Sequence, residues 1–170
     1  DDAPTTRSRI TVTDWDATYP NRYRKILLVE PVSGTAGPSF RDIPIHAGGI
    51  SWYGDYLYVA DTANGIRVFD MSRIWEVDTT GSGIGRQPDG SYDAHAYRYV
   101  LPQTGMLTDV GSTQLRWSTV ALDRVTPSLV MGEFAEAAGS HAVRFPLDAA
   151  THRVRAGADG LVHATQALSV

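Results

Sequence analysis

The feature that most limits the fold of this chain is a recurring pattern of short apolar segments separated by turn-forming residues. Between Gly49 and Met71, three apolar segments are separated only by Gly-Asp and by Asp-Thr-Ala-Asn-Gly; they are Ile50 to Tyr53, Tyr56 to Ala60 and Ile66 to Phe69. Gly-Asp and Asn-Gly are typical of tight turns between antiparallel strands. This stretch therefore predicts an antiparallel meander.

The same pattern recurs along the chain as a weak internal repeat. Three equivalent strands that each end in Asp are predicted at 9–14, 65–70 and 143–148, and a further strand follows each of them, at 23–29, 97–101 and 162–168. Upstream of the second and third of these strands, Tyr56–Asp61 aligns with Ser128–Glu133, which places an acidic residue at the same point of both segments. Before those segments, the apolar runs that begin at Ile50 and Trp117 also correspond. The repeating unit is therefore four strands.

Four-stranded units repeated around an axis are the blades of a β-propeller, a fold that usually needs four to eight of them to close. The sequence predicts an all-β chain of about two and a half blades: a half blade at 9–33, a full blade at 49–105 with an inserted loop at 72–95, and a full blade at 115–170. An open arc exposes apolar surface. We therefore expect the remaining blades on a second chain or fragment. A small sandwich or barrel of about ten strands is the alternative.

Composition excludes several classes of protein. Fifteen Lys and Arg residues stand against 19 Asp and Glu residues, for a net charge of −4, and no basic run stands out, so nucleic acid is not an expected partner. No apolar run approaches the length of a membrane helix, so we expect no membrane span. The chain has no cysteine, which removes disulfides, thiolate metal sites and a cysteine nucleophile.

Four residues are candidates for ligand binding at the mouth of a propeller channel. His46 precedes Ala-Gly-Gly at the entry to a predicted first strand, and Asp61, Asn64 and Glu133 lie at the ends of predicted strands or in the turn that follows. Loops at such positions line one mouth of a propeller channel. Each candidate has a structural alternative: a histidine can fix the neighbouring turn, and an Asp in Asp-Thr-Ala-Asn-Gly can accept amide protons of its own turn.

Other chemistry has no support in the sequence. The remaining histidines show no spacing typical of a metal site, no calcium-loop run exists, and no G-x-S-x-G motif is present, so neither a metal nor a cofactor is predicted and no catalytic residue is assigned. The Gly-rich stretch 81–85 is not followed by a helical pattern and is interpreted as a flexible part of the insertion. Gly48 and Gly49 are expected to adopt backbone angles that other residues avoid.

The blade sequence resembles two groups of propellers. The Gly-Ile, Tyr-Val-Ala-Asp-Thr and Ile-x-Val-Phe-Asp strands are similar to NHL-type blades. Leu27–Pro31, His46–Ile50, Trp52–Gly54, Leu57–Thr62 and Arg98–Gln103 resemble the family of secreted actinobacterial propellers typified by dispase autolysis-inducing protein. That resemblance covers most of residues 9–170. It implies half of a seven-bladed propeller in a chain about twice this long.

The resemblance also implies a function. Members of that family are secreted, non-catalytic proteins that interact with an extracellular protease and are transglutaminase substrates. The expected function is therefore a secreted, non-enzymatic scaffold that binds another extracellular protein, with Gln87 as a transglutaminase acyl donor on an exposed loop and Lys25 as an acceptor. The alternative is a propeller hydrolase, or a protein that binds a glycan or small ligand, with the residues of the channel mouth forming its site.

Overall fold

The computed structural model describes residues 7–16, 18, 22–110, 115–134 and 139–169. Their strands are β1 (Arg9–Asp14), β2 (Arg22–Gly34), β3 (Gly37–Asp42), β4 (Ala47–Tyr53), β5 (Tyr56–Asp61), β6 (Gly65–Asp70), β7 (Trp75–Glu76), β8 (Ile84–Arg86), β9 (Tyr92–Ala94), β10 (Tyr99–Leu107), β11 (Trp117–Asp123), β12 (Ser128–Glu133), β13 (His141–Pro146) and β14 (Gln166–Ser169). Met71–Arg73 forms a single 3-10 turn, capped by the Asp70 carboxylate, which accepts from the Ser72 amide. The fold is all-β.

The chain divides into two compact units, and β10 is divided between them. Unit 1 holds residues 1–45 and 70–103, and unit 2 holds residues 46–69 and 104–170. Within the part of the chain that the structure describes, no helix has the length and apolarity of a membrane span.

Unit 1 is organised around the long strand β2. Its first half pairs antiparallel with β1, its second half pairs antiparallel with β3, and its centre pairs in parallel with Tyr99–Pro102 of β10. β7 pairs with the other side of β10, and β8 and β9 form a separate hairpin. The core of this unit consists of side chains from these strands: Leu27, Val29, Phe40, Ala94 and Val100.

Unit 2 contains two sheets. We call β4, β5 and β6, with residues 104–107 of β10, the first sheet, and β11 to β14 the second sheet. The Thr104 hydroxyl donates to the Val68 carbonyl at 3.2 Å, which holds this end of β10 beside β6. The two sheets share one core of nine buried residues: Tyr58, Ala60, Ile66, Trp117, Val120, Leu129, Met131, Val143 and Leu147.

β4 and β11 approach each other closely at two glycines. A Cβ atom at Gly48 would collide with the backbone oxygen of Ser118, and one at Gly49 would lie 2.7 Å from the Val120 nitrogen. The Ser51 hydroxyl donates to the Val120 carbonyl at 3.0 Å. The expectation that Gly48 and Gly49 hold unusual backbone angles is wrong, because neither has a positive φ. They are required because two backbones meet there.

The insertion at 72–95 is more ordered than its composition predicts. The 3-10 turn at Met71–Arg73 overlaps its start, and the rest contains β7, β8 and β9. Gly85, in the stretch interpreted as flexible, lies within β8 at a φ of 73° and packs against Phe40 and Ser39. At the other end of the chain, the strand predicted at 162–168 is found at Gln166–Ser169.

Candidate functional site

A cavity of about 790 Å³ lies at one edge of unit 2. The described residues that line it come from the start of β4, the turn after β5, the start of β11 and the end of β12; they are His46, Thr62, Ala63, Arg116, Ser118 and Phe134. His46 is thus the one sequence-predicted candidate found in this lining. The described lining residues include one arginine and no carboxylate.

Asp61 is adjacent in sequence to the cavity but serves its own turn. Its side chain is almost completely buried and accepts from the Ala63 amide at 3.2 Å and from the Asn64 side-chain amide at 3.1 and 3.0 Å. Arg67 Nε donates to its Oδ2 at 2.9 Å. Buried carboxylates need such charge-assisted partners. In this turn, Asp61 and Asn64 therefore have the structural role given above as the alternative to ligand binding. Both side chains fix the Thr62–Ala63 edge of the cavity.

Glu133 occupies the equivalent position in the second sheet. Its Oε2 accepts from His141 Nδ1 at 2.6 Å and from the His141 amide at 3.2 Å. The hydrogen bond from the His141 side chain is the main reason that the pKa of Glu133 lies below its usual value. Glu133 therefore stays ionised at neutral pH and joins the ends of β12 and β13.

The cavity combines a cation with an aromatic ring. The Arg116 guanidinium lies over the Phe134 ring, 4.9 Å from its centroid, and the Phe134 amide donates to the Arg116 carbonyl at 2.7 Å. Phe134 remains 43% exposed although it is a large apolar residue. A cation over an aromatic face is a favourable arrangement that also holds the guanidinium in place.

Thr62 lines the same cavity and has a buried side-chain oxygen. Its Oγ1 is inaccessible to solvent and has no hydrogen-bond partner among the described residues. Ser118 also lines the cavity, and its hydroxyl donates to the Gly132 carbonyl only at 3.4 Å. Buried hydroxyls are almost always hydrogen-bonded in folded proteins, so Thr62 Oγ1 is an exception. Because solvent does not reach this atom, it does not form part of the cavity surface.

The sequence analysis missed Arg116, Thr62, Ser118 and Phe134, although the repeat carried a signal for two of them. Ala47 pairs with Asp61, and Trp117 pairs with the equivalent residue Glu133. Ala47 and Trp117 are therefore equivalent, and so are the residues that precede them, His46 and Arg116. Phe134 and Thr62 are equivalent in the same way, because they follow the equivalent residues Glu133 and Asp61. Four of the six lining residues are thus two pairs of repeat-equivalent positions.

A second functional feature of unit 2 is a difference in how its sheet faces are covered. We call the side of the first sheet that carries Tyr58, Ala60 and Ile66 its leading face, because it packs on the second sheet, and the opposite side its trailing face. In the second sheet the repeat-equivalent trailing face, with Leu129 and Met131, packs on the first sheet. The leading face of the second sheet is the one that neither sheet covers.

The open leading face carries small apolar side chains beside polar ones. Side chains alternate along a strand, so this side holds Thr119, Ala121, Asp123, Ser128, Val130, Gly132, Ala142, Arg144, Gln166 and Leu168. Ala121 is exposed, whereas its repeat equivalent Ser51 is buried against β11. The charge of Arg144 is neutralised by Asp123, at 2.6 Å, and Ser128 also accepts from it at 2.5 Å.

The two residues expected to react with a transglutaminase both lie in unit 1. Gln87 is half-buried, and its Nε2 donates to the Gly85 carbonyl at 2.9 Å, so its amide is less accessible than the sequence suggests. Lys25 is exposed on β2, opposite Thr11 of β1. Their reactivity stays a prediction.

The described residues contain no group of three or more His, Cys, Asp or Glu side chains that could hold a metal ion.

The comparison with protein families concerns the first sheet. Residues 46–73 match the LVIVD repeat. The LVIVD repeat is associated with β-propeller-like folds, and here it covers β4, β5, β6 and the 3-10 turn that follows. No curated protein and no solved structure matches the chain.

The LVIVD repeat supports a β-propeller-like repeat fold for this protein. It lies where the sequence pattern is clearest, and its strands form the sheet whose two faces are both buried at β5. The number of blades and the resemblance to the dispase autolysis-inducing family stay predictions.

Proposed function

We propose that this protein is a non-enzymatic scaffold of the β-propeller type that binds another polypeptide. The open leading face of the second sheet carries the proposal. It is an extended surface on which Ala121 and Leu168 are exposed and Val130 is half-buried. Exposed apolar side chains grouped on one face of a sheet are typical of a site that another protein covers.

The repeat indicates what kind of partner fits this face. Within unit 2, a leading face is covered by the trailing face of a further sheet, and the residues that cover it are branched or long apolar side chains such as Leu129 and Met131. The contact is close because the strand that enters it carries Gly48 and Gly49. The partner that we propose is therefore a further four-stranded sheet of the same repeat type, on a second chain or fragment.

The composition of the open face suits that partner better than it suits a polar ligand. Ala121 and Ala142 leave room for close approach of a second sheet, and the guanidinium of Arg144 is already neutralised by Asp123. Flat faces with small side chains allow sheets to pack at about 10 Å. A hydrolase is the less supported alternative, because Asp61 and Glu133 are engaged by Arg67 and His141.

The extracellular location, and contacts with an extracellular protease or transglutaminase, belong to the same proposal. They rest on the family resemblance of the blade sequence, and the scaffold function does not depend on them.

The proposal is tested by blocking the open face. Without its partner sheet, the chain of residues 1–170 is expected to self-associate through this face. Ala121→Arg places a long charged side chain where Ala121 is exposed, so it should block close packing and give a monomer without unfolding the chain. Val125→Arg is the matched control, because Val125 is 94% exposed at the turn between β11 and β12.

Light scattering at several protein concentrations measures the outcome. We expect concentration-dependent association of the parent chain and of Val125→Arg, and a monomer for Ala121→Arg with an unchanged melting temperature. Thr119→Lys, also exposed on the open face, should repeat the effect of Ala121→Arg. A parent chain that is a monodisperse monomer, or an association that neither open-face variant reduces, overturns the proposal.

A further inference from the structure

We infer that the exposed part of the trailing face of the first sheet, at β4, binds the open leading face of a second copy of this chain. Copies of the chain then associate head to tail. This inference rests on the proposed function, because it identifies the surface that covers the open leading face. It adds a second binding surface, on the opposite side of unit 2, and a partner that carries it.

The surface consists of Ile50 and Trp52, which we call the trailing patch. Ile50 pairs with Val59 and Trp52 pairs with Leu57, so each shares the trailing face with its partner in β5. Val59 and Leu57 are buried, whereas Ile50 is 53% exposed and Trp52 is 48% exposed. Trp52 Nε1 donates to the Gly54 carbonyl at 2.6 Å, so the exposed remainder of this side chain is apolar. At these positions, the trailing face is thus buried in β5 and open in β4.

The second sheet shows what covers the equivalent positions. By the pairing register of their strands, Val120 is the repeat equivalent of Ile50, and Leu122 is the equivalent of Trp52. Val120 is only 7% exposed, and Leu122 packs against the core that the two sheets share. The Ser51 hydroxyl, on the leading face of β4, donates to the Val120 carbonyl at 3.0 Å. In this repeat, the first strand of a trailing face is therefore covered by the leading face of another sheet.

The open leading face of the chain has the small side chains that the trailing patch requires. Both residues of the patch are larger than their equivalents in the second sheet, so a well-packed partner must be smaller opposite them. Ala121 and Thr119 lie on the first strand of the open face, beside Gly132 on the next strand. A Cβ atom at Gly132 would lie 2.5 Å from Thr119 Oγ1, so the Thr119 side chain occupies the space above this glycine and the face stays flat.

The charges on the two surfaces permit the contact. The trailing patch has no charged side chain, and Arg144 on the open leading face is paired with Asp123 at 2.6 Å. Packing the two surfaces together therefore buries no unpaired charge, which would be costly. Trp is also among the residues that contribute most to binding when an interface covers them. Because the patch lies on a single strand, we expect a small interface and reversible association.

The test combines one variant of each surface in the chain of residues 1–170. Ile50→Arg places a charge on the trailing patch and leaves the open leading face intact, and Ala121→Arg does the reverse. Each variant alone should associate at least about tenfold more weakly than the parent in light scattering. An equimolar mixture should form a 1:1 heterodimer that grows no further, because it joins the one intact surface of each variant. Native mass spectrometry gives the composition, since the two variants differ in mass.

Two controls accompany the mixture. The double variant Ile50→Arg/Ala121→Arg has neither surface and should stay monomeric when it is mixed with either single variant. Ile74→Arg makes the same change at an exposed isoleucine of unit 1, outside both surfaces, and should associate as the parent does. The melting temperature of each variant shows that it is folded, and Trp52→Arg provides a second variant of the trailing patch if Ile50→Arg is unstable.

The outcomes separate this inference from the proposed function. If Ala121→Arg prevents association but folded Ile50→Arg and Trp52→Arg associate as the parent does, the inference is overturned and the proposed function is supported. Two monomeric variants that form no heterodimer when mixed also overturn the inference. A monomeric parent, or association that Ala121→Arg does not reduce, overturns the proposed function and the inference with it.

Discussion

The first and second sheets of unit 2 share a strand pattern but differ in how much of it is buried. β5 in the first sheet is buried from Leu57 to Asp61, so residues pointing to both of its faces are removed from solvent. In β12 of the second sheet, Leu129 and Met131 are buried whereas Val130 and Gly132 between them are only half-buried. β13 is buried at one of its six residues, whereas its repeat equivalent β6 is buried at four of its six residues.

This comparison shows which residues of the repeat are buried in both sheets and which are buried only where a neighbouring sheet covers them. Leu57 and Leu129, and likewise Val59 and Met131, are repeat equivalents, and all four are buried. Tyr58 and Val130 are also equivalent, yet only Tyr58 is covered by a neighbouring sheet. At these positions of β5 and β12, burial of the trailing face thus follows the repeat, and burial of the leading face depends on the presence of a neighbour.

The largest expected effect comes from preventing the approach of the two sheets. Gly48→Ala places a Cβ atom against the backbone of Ser118, which cannot rotate away, so β4 and β11 must separate. We expect a loss of about 3 kcal/mol or more in the free energy of unfolding, measured by urea denaturation. Gly105→Ala is the control, because its nearest contact would be an ordinary 3.8 Å from Val68, and it should cost less than about 0.5 kcal/mol. Similar losses in the two variants would contradict the close approach.

A matched pair of valines compares the faces directly. Val59→Ala removes two methyl groups from a residue that is 1% exposed and should cost about 2 kcal/mol, whereas Val130→Ala on the open leading face should cost less than about 1 kcal/mol. Both values come from urea denaturation of the chain alone. Equal costs would mean that the leading face of the second sheet is covered in solution.

The smallest effect concerns the hydroxyl of Tyr58, a residue of the core that the two sheets share. Tyr58 donates to the His152 carbonyl at 2.8 Å, and burial raises its pKa to about 12. Tyr58→Phe should cost about 1 to 2 kcal/mol at neutral pH, since the buried carbonyl of His152 loses its partner. The unfolded tyrosine has a pKa of about 10, so the contribution of Tyr58 is complete below that pH.

The same pKa predicts a pH dependence with a definite sign. As the pH rises from about 10 through about 12, the unfolded chain releases the Tyr58 proton before the folded chain does, and the stability advantage of the parent over Tyr58→Phe should shrink. Thermal unfolding of the two proteins across this range measures the difference. A difference that stays constant up to pH 12 would show that the hydroxyl of Tyr58 is accessible to solvent.

Much of the fold was predictable because it depends on local pattern. The apolar run Tyr56–Ala60 and the Asn-Gly turn that follows specify β5, β6 and the hairpin between them. The insertion at 72–95 was less predictable, since its strands are only two or three residues long. The role of Gly48 and Gly49 was predicted for the wrong reason, because the constraint is the backbone of β11, about 70 residues away in the sequence.

The candidate site was likewise predicted only in part. His46 was predicted from its place before a strand, and Arg116, its repeat equivalent, was not, because the residues around Arg116 lack the Ala-Gly-Gly sequence that marks His46. Asp61 and Glu133 were placed correctly at strand ends. Their partners, Arg67 and His141, depend on how each strand pairs with the next.

By itself, the sequence determined the all-β character, the positions of most strands and the sides on which their residues point, because hydrogen bonding and alternation act over a few residues. Only the tertiary structure decided which of two equivalent faces is covered and which side chains meet at the cavity edge. Those properties depend on which residues far apart in the chain come together, such as Thr62 and Phe134 in the lining of one cavity, or Ser51 and Val120 across the two sheets. The repeated pattern determines the strands of each sheet, but the elements packed against a sheet determine which of its faces is exposed.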